Sequence, residues 1–555
     1  MQRKNVLIVQ RDMTLLLDRE AHYAAEARSA IGSFTELLKV LGQFEVYECT
    51  PVTVWNALAL GLKCEKIIDL LHTYAKGALP AACESQIKLW ASRFGRLTLL
   101  LDDQQLIMQG DEAMMQELES LNLGSSWIEA KHPNNRWIIK QEGRGFLKQE
   151  LAKAGYAVQD LVGYHDGEAV HMELRQQAQS GASFHLRDYQ RKAIAAFHRD
   201  RVGGSGVIVL PCGSGKTVTG IGVMASLQTA TLIVTSSVTS AKQWRDELLD
   251  KTSLSPEDIG LYGGKARSVE KITIATYTIL THRNKSTDQY DHMKLFSKRD
   301  WGLIIYDEVQ LLPAPIFRMT AMIQATRRLG LTATLIREDG CANDVFSLVG
   351  PKLYDLSWKK AEEQSYIAKV HCTEVRVQLP AHDAEQYNTA SARLRLKIAA
   401  INPNKIATVK QIMKLHPDLP TLIIGQYIEQ LEEMSVELGV PLLTGSTDYE
   451  QREAVFKKFR NREISTLVVS RIANLAVDLP DAAVAIQVSG SFGSRQEEAQ
   501  RIGRLLRPKR GANEAWFYTL VTEGSKETEF ALKRGLFMLE QGYQYRCIHE
   551  QEVFL

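Results

Sequence analysis

Leu210–Thr217 reads LPCGSGKT. Pro211, Cys212, Gly213, Ser214 and Gly215 lead into a Lys216–Thr217 pair. The β-forming run GVIVL precedes the loop and the helix-like run VTGIGVMASL follows it. A tight loop between a strand and a helix start turns backbone N–H groups toward an anion. In that setting the Lys216 ammonium reaches the β- and γ-phosphates of a nucleoside triphosphate, and the Thr217 hydroxyl ligates magnesium. The first glycine of the usual G-x-x-x-x-G-K-[ST] is absent, because position 210 is Leu.

Further pieces follow in order. YDEVQ (Tyr306–Gln310) closes an apolar strand-like run. Asp307 there would hold magnesium through its water shell, and Glu308 would orient or deprotonate an attacking water. Alone, such a pair is a solvated acidic turn; behind a phosphate loop it reads as catalytic. Upstream, HLRDYQ ends in Gln190, whose amide could address adenine N6 and N7 bidentately, as Asn and Gln do on a base edge; the bland reading is a helix N-terminal segment. Late in the chain, QEEAQRIGRLLR places Gln500, Arg504 and Arg507 at i, i+4 and i+7, on one helix face. Two arginines on one face can reach a γ-phosphate held by another domain, and such fingers contribute about 10³-fold or more in rate. Nucleotide that draws two domains together, and hydrolysis that lets them part, is the logic of a motor.

Two series of short apolar strands alternate with helical stretches. GVIVL, TLIVTS, ITIATY, WGLIIYD and RRLGLTAT form one series; TLIIG, PLLTG, STLVVS, AAVAIQVSG and EAWFYTLVT form the other. This is the pattern of two doubly wound α/β domains with parallel sheets in tandem. Residues 1–100 alternate strands and helices, and TPVTVWNALALG carries Thr50 as N-cap, Pro51 at the first helical position and Gly61 at the end. Residues 101–180 mix acidic and basic stretches and end in the linker-like GEAVHMELRQQAQSGAS.

The 555 residues suggest about three or four domains. With 45% hydrophobic and 24% charged residues, the composition is that of a globular protein with real cores. A net charge of +2 means that nucleic-acid contact rests on local patches, not on a global field. None of the seven cysteines forms a C-x-x-C, which argues against zinc, iron–sulfur or disulfide frameworks. The apolar run of MQRKNVLIVQRD is too short for a signal peptide, and no stretch approaches about 18 apolar residues. The expected setting is cytoplasmic, bacterial and nucleoid-associated, with no membrane partner.

The ordered set LRDYQ, LPCGSGKT, YDEVQLLPAPIFR, LGLTATLIRED, VSRIANLAVDLP and GSRQEEAQRIGRLLR resembles the superfamily-two helicases, and within them the XPB family in its bacterial and archaeal form. The resemblance runs from about 180 to the C-terminus and touches the first 100 residues at CTPVTVWNA. It implies two tandem RecA-like domains preceded by an N-terminal α+β region: 1–100 for docking, 101–180 damage-recognition-like or linker, 181–365 the first RecA-like domain, 366–410 a connector with a thumb-like segment, and 411–555 the second. It implies a DNA-dependent ATPase with 3′–5′ helicase or duplex-translocase activity in DNA repair or promoter opening, using ATP and magnesium on duplex or forked DNA. A separate nuclease or repair protein is the partner class left open, and an ATP-switched scaffold is the competing reading.

Carried over by motif, the family opens its phosphate loop with LPCG, so Leu210 is no defect. Arg187 and Gln190 fall at the adenine end, and Thr332 and Thr334 couple hydrolysis to motion. Asp478 and Gln500 complete the nucleotide cleft, with Arg504 and Arg507 as fingers. Arg337, Glu338 and Asp339 match the element linked to duplex opening, and Arg393, Arg395 and Lys397 fall in the thumb. One departure stands out: the family box is DEVH, and position 310 here is Gln. Gln keeps a donor and an acceptor but cannot become a cation, so ATPase should survive with altered coupling. Ser236, Ser237, Thr276, Ser470 and Arg471 sit at strand ends on the expected DNA side, where hydroxyls and amides hold phosphate oxygens; helix capping is the alternative role for each.

Overall fold

The computed structural model describes residues 4–41, 43–198, 204–284, 290–324, 326–333, 342–470, 482–489, 513–531 and 545–553. The chain divides into two compact units. One comprises residues 1–38, 44–210 and 215–356, the other residues 39–43, 211–214 and 357–555.

The first unit begins with a sheet of β1 (Leu7–Val9), β2 (Thr14–Asp18), β3 (Glu36–Leu41) and β4 (Phe44–Glu48), in the order β1-β2-β4-β3. The helix Pro51–Ala59 that follows starts as its sequence dictates. Thr50 Oγ1 accepts from the Thr53 N–H at 3.2 Å, and the Thr50 N–H donates to Thr53 Oγ1 at 2.9 Å. A second sheet holds β5 (Leu97–Asp102), β6 (Gln105–Gln109), β7 (Ile128–His132), β8 (Arg136–Ile139) and β9 (Val158–Asp160), in the order β7-β8-β6-β5-β9. Its core gathers Leu97, Leu99, Met108, Trp137, Leu147 and Tyr156. The region at 101–180 therefore has a sheet of its own, and that sheet starts inside the stretch assigned to the first 100 residues.

The third sheet holds β10 (Ser205–Val209), β11 (Thr231–Thr235), β12 (Ile259–Gly263), β13 (Ala266–Arg267), β14 (Ile272–Thr276), β15 (Leu303–Asp307), β16 (Arg327–Thr332) and β17 (Lys352–Asp355). Their order is β13-β12-β14-β11-β15-β16-β10-β17, parallel except for β13. Every residue of β10, β11 and β14 is buried, which is why they read as continuous apolar runs. The second unit contributes β18 (Lys369–Val377), β19 (Thr421–Ile424), β20 (Leu442–Leu443), β21 (Thr466–Val469), β22 (Val484–Gln487), β23 (Glu514–Thr522) and β24 (Tyr545–His549). These form a parallel sheet in the order β20-β21-β19-β22-β23-β18-β24. Both tandem α/β domains are thus present. The boundary at 366–410 needs correction, because β18 falls inside the expected connector yet pairs along its whole length with β23.

Two features bind the second sheet to the first α/β domain. The segment at 161–183 that reads as a linker is a strap hydrogen-bonded to it. Glu168 N–H donates to Asp300 C=O, Val170 N–H to Gln228 C=O, Arg175 N–H to Lys251 C=O and Gln179 N–H to Asp250 C=O, each at 2.9 Å. The helix Arg144–Lys153 also docks closely: a Cβ on Gly145 would lie 2.3 Å from the Ala321 carbonyl oxygen, so only glycine fits. Beside it, part-buried Asp160 accepts from Arg144 (2.8 and 3.0 Å) and from Lys148 (2.6 Å), and Lys148 also donates to Gln324 Oε1 at 2.6 Å. Burial works against the Asp160 carboxylate, but Lys148 and Arg144 outweigh it and hold the carboxyl far below its usual range. Burial also pushes the Lys148 ammonium down to about 8, against the pull of Asp160.

Candidate active site

The site candidates gather along one edge of the eight-stranded sheet because its order brings their strands side by side. β15, β16 and β10 are neighbours, with Asp307 opposite Leu331 and Thr332 opposite Val209. The loop after β10, the acidic pair ending β15 and the Thr at the end of β16 therefore share the C-terminal edge, where open parallel sheets bind ligands. Gly213 (φ +77°) and Gly215 (φ +85°) adopt left-handed backbone, which glycine permits at no steric cost. Ser214 Oγ donates to the Pro211 carbonyl at 2.6 Å, fixing the turn. The helix Lys216–Leu227 starts directly after Gly215, so its first N–H groups face the loop.

Four side chains form a continuous polar chain. Lys216 Nζ lies 3.0 Å from Glu308 Oε1, Gln310 Nε2 donates to Glu308 Oε2 at 2.8 Å, and Thr332 Oγ1 donates to Gln310 Oε1 at 2.6 Å. Gln310 uses its donor on one side and its acceptor on the other, so it spans from the acidic pair to the end of β16. Glu308 itself sits at φ +53°, an uncommon conformation for a residue with a side chain and one that clusters at functional sites. Asp307 is held from two sides that the sequence did not reveal. Trp244 Nε1 donates to Asp307 Oδ2 at 2.9 Å, and the Tyr277 hydroxyl donates to the Asp307 carbonyl at 2.8 Å. Nothing in AKQWRDELLD marks Trp244 beyond its being an aromatic on an amphipathic helix.

Burial and the adjacent Glu308 raise the Asp307 carboxyl well above its ordinary range, while Lys216 and Trp244 act the other way. Burial opposes Glu308 ionisation too, but Lys216 and Gln310 outweigh it and lower its carboxyl. Among the described residues these two part-buried carboxylates thus share one ammonium, and a divalent cation beside Asp307 would balance them. The residues present fit a nucleoside triphosphate with its metal ion.

Gln190 is buried, and both ends of its amide are engaged. Oε1 accepts from the Arg187 N–H at 2.8 Å, and Nε2 donates to the Gly215 carbonyl at 3.4 Å. It lies against the phosphate loop, with Arg187 beside it. Ser237 and Thr276 both cap helices, accepting from the Ser240 and Ile279 N–H groups at 3.1 and 3.3 Å. Ser236 precedes Ser237 at the end of β11. In the second unit, Ser470 is buried and its N–H donates to the Leu443 carbonyl. Arg393, Arg395 and Lys397 lie on the helix Ala392–Ala400. Arg393 is exposed, Arg395 donates to the Ala390 and Asn388 carbonyls, and Lys397 pairs with Glu429 at 2.9 Å. Thr334, Arg337, Glu338, Asp339, Arg471, Asp478, Gln500, Arg504 and Arg507 lie outside the described residues.

Comparison with known proteins agrees with this architecture. Residues 361–554 match the ERCC3/RAD25/XPB C-terminal helicase family, residues 7–124 a helicase conserved C-terminal domain, and residues 183–337 the res subunit family of type III restriction enzymes. The chain is 46% identical to the DNA 3′–5′ helicase XPB of Mycobacterium tuberculosis over 97% of each chain. It is 45% identical to the DNA 3′–5′ helicase XPB of Kineococcus radiotolerans, over 99% of this chain and 97% of that one. Among solved structures, the ATP-dependent type ISP restriction-modification enzyme LlaBIII bound to DNA shares the fold at TM-score 0.50 and 14% identity, covering 66% of this chain and 31% of that one. Among the described residues no helix is long and apolar enough to cross a membrane. On the near full-length identity to two bacterial relatives, the chain belongs to the XPB family of DNA 3′–5′ helicases.

Proposed function

We propose that the protein is an ATP-driven 3′–5′ DNA helicase or duplex translocase that opens DNA in repair or in transcription-linked repair. The observation that supports this most is the chain from Lys216 through Glu308 and Gln310 to Thr332, which joins a phosphate loop to the end of a neighbouring strand. When bound, ATP with magnesium supplies the phosphoryl transfer whose free energy drives the motion. Lys216 and the loop amides would bind the phosphates, and Thr217 and Asp307 would hold the metal. Trp244 orients Asp307. Glu308, once Lys216 turns to phosphate, positions and deprotonates the attacking water. Gln310 senses the state of Glu308 and passes it to Thr332. The family resemblance assigns Asp478, Gln500, Arg504 and Arg507, which lie outside the described residues, to the same nucleotide chemistry.

Strand displacement on forks with a single 3′ or 5′ tail tests this reading. ATP-dependent displacement from the 3′-tailed fork alone is the expected result. DNA-stimulated ATPase without displacement from either fork would favour a translocase or an ATP-switched scaffold. The match of residues 183–337 to a restriction-enzyme subunit family keeps a second reading open, the motor of a separate nuclease; a nuclease that co-purifies and cuts only during ATP hydrolysis would support it.

A further inference from the structure

Asp307 is held by two helices that begin elsewhere on the eight-stranded sheet. The helix Val238–Lys251 follows β11, and the short helix Tyr277–Leu280 follows β14. β11 and β14 are parallel neighbours with Thr235 opposite Thr276, so the two helices start side by side at one rim, capped by Ser237 and Thr276. About two turns into the first helix, Trp244 donates its indole N–H to Asp307 Oδ2 at 2.9 Å. Tyr277, at the start of the second, donates its hydroxyl to the Asp307 carbonyl at 2.8 Å. One contact fixes the carboxylate, and the other fixes the backbone that carries it.

Trp244 also packs on the helix Lys216–Leu227. Its ring is buried, and a Cβ on Gly220 of that helix would stand 2.6 Å from Trp244 Cη2 and 3.1 Å from Leu331 Cδ1. The Gly220 backbone is helical, so the indole, not an unusual φ, excludes a side chain there. Thr217 lies in the first turn of the same helix, and Leu331 is opposite Asp307 in the β15–β16 register. One side chain therefore spaces the two groups assigned to the metal: it packs on the helix that carries Thr217 and bonds to Asp307. Groups one step out from a metal set its affinity, and losing them costs about 10- to 100-fold. A ligand that shifts the start of either rim helix would move Asp307 relative to Thr217, and such coupling between two sites is reciprocal.

We infer that Trp244 and Tyr277 are positioning residues through which DNA engaged at the Ser237–Thr276 rim sets the affinity of the Thr217–Asp307 site for a magnesium–nucleotide complex. This rests on the DNA-motor reading above. Neither side chain has to touch DNA or nucleotide, because each acts through Asp307. The test is equilibrium binding of Mn2+ with a non-hydrolysable ATP analogue to the full chain, read by the electron paramagnetic resonance of the free ion, with and without a forked duplex. In wild type the fork should tighten binding by about fivefold or more. Trp244→Phe keeps an aromatic ring against Gly220 and removes the N–H donor. It should weaken binding without DNA by about tenfold and bring the effect of the fork close to none. Saturating Mg2+ should then restore most of its ATPase kcat, the split expected of a residue that places the metal and takes no part in the chemistry. Tyr277→Phe should shrink the effect of the fork with a smaller loss without DNA. Gly220→Ala tests the packing arm: alanine favours a helix over glycine, so the chain should fold, yet its methyl displaces the indole and should reproduce the loss seen in W244F. W244F and Y277F with wild-type affinity and a wild-type fork effect, in chains whose ATPase still responds to DNA, would overturn the inference and leave the motor reading standing. Tighter binding in W244F would overturn it too, since the indole would then compete with the metal, and G220A with wild-type binding would overturn the spacing role. A wild-type chain whose ATPase responds to DNA while its nucleotide affinity does not would overturn the coupling alone. A wild-type ATPase that ignores DNA would overturn the motor reading and the inference with it.

Discussion

Each α/β domain pairs a lysine with a glutamate, and the two pairs do different work. In the second domain, Lys405 is fully buried. It donates to the Ala400 carbonyl at 3.2 Å, the Val488 carbonyl at 2.9 Å and Glu527 Oε2 at 2.7 Å. Its three N–H bonds end on fixed acceptors, and Glu527 in turn accepts from the Thr522 N–H at 3.0 Å. In the first domain, Lys216 pairs with Glu308 at 3.0 Å, but Glu308 sits on left-handed backbone beside a second buried carboxylate that resists ionisation. The first pair is closed and satisfied. The second, among the described residues, sets two carboxylates against one ammonium and is tied through Gln310 to a neighbouring strand. The same two residue types thus make a staple in one place and a poised site in the other, and the surrounding charge balance decides which.

Variants can break that contrast. Lys405→Met should leave Glu527 buried without its cation and cost about 3–5 kcal/mol, read as a lower melting temperature, with any activity loss following unfolding. Asp160→Asn should cost a similar amount, because it strands two buried cations. It also adds a pH signature. The folded pKa of Asp160 lies below its unfolded value of about 3.9, so its stabilisation is fully present above that value and is lost as the pH falls below it. Acid melts of wild type should show that loss, and those of D160N should lack it. Lys216→Ala should lower the ATPase rate by about 10²-fold or more. It should move the melting temperature less than K405M does, since Asp307 can relieve the missing charge by holding a proton. Gln310→Ala should leave ATPase largely intact and reduce strand displacement per ATP, as expected if the bridge to Thr332 couples the two. Gln310→His sharpens the same point: if neither ATPase nor displacement changes, the identity of the bridging residue does not matter.

The sequence was most legible where a function is written in contiguous residues. The phosphate loop and the acidic pair are local, and the apolar runs of β10, β11, β14 and β15 are buried on both faces, so each could be found without its neighbours. β18 is not legible in this way, because what makes it a strand is its pairing with β23, 145 residues further along the chain. β12, β13, β17 and β24 are likewise defined by their partners, and none of them carries an unbroken buried apolar run. The strap at 161–183 has a linker's composition, yet its backbone groups are satisfied by the domain it crosses. Trp244 and Tyr277 reach Asp307 from separate elements, and no spacing rule connects them to it. For Ser237 and Thr276 the structure shows capping, a role that serves the helix whether or not their free lone pairs meet phosphate.

ATPase rate measured without nucleic acid, with duplex DNA, with forked DNA and with RNA, using Lys216→Ala as the blank, tests the central claim most directly. The account predicts stimulation by DNA, strongest on duplex or fork, weak with RNA, and absent in the blank. An ATPase that ignores DNA, or one that persists in Lys216→Ala, would contradict it.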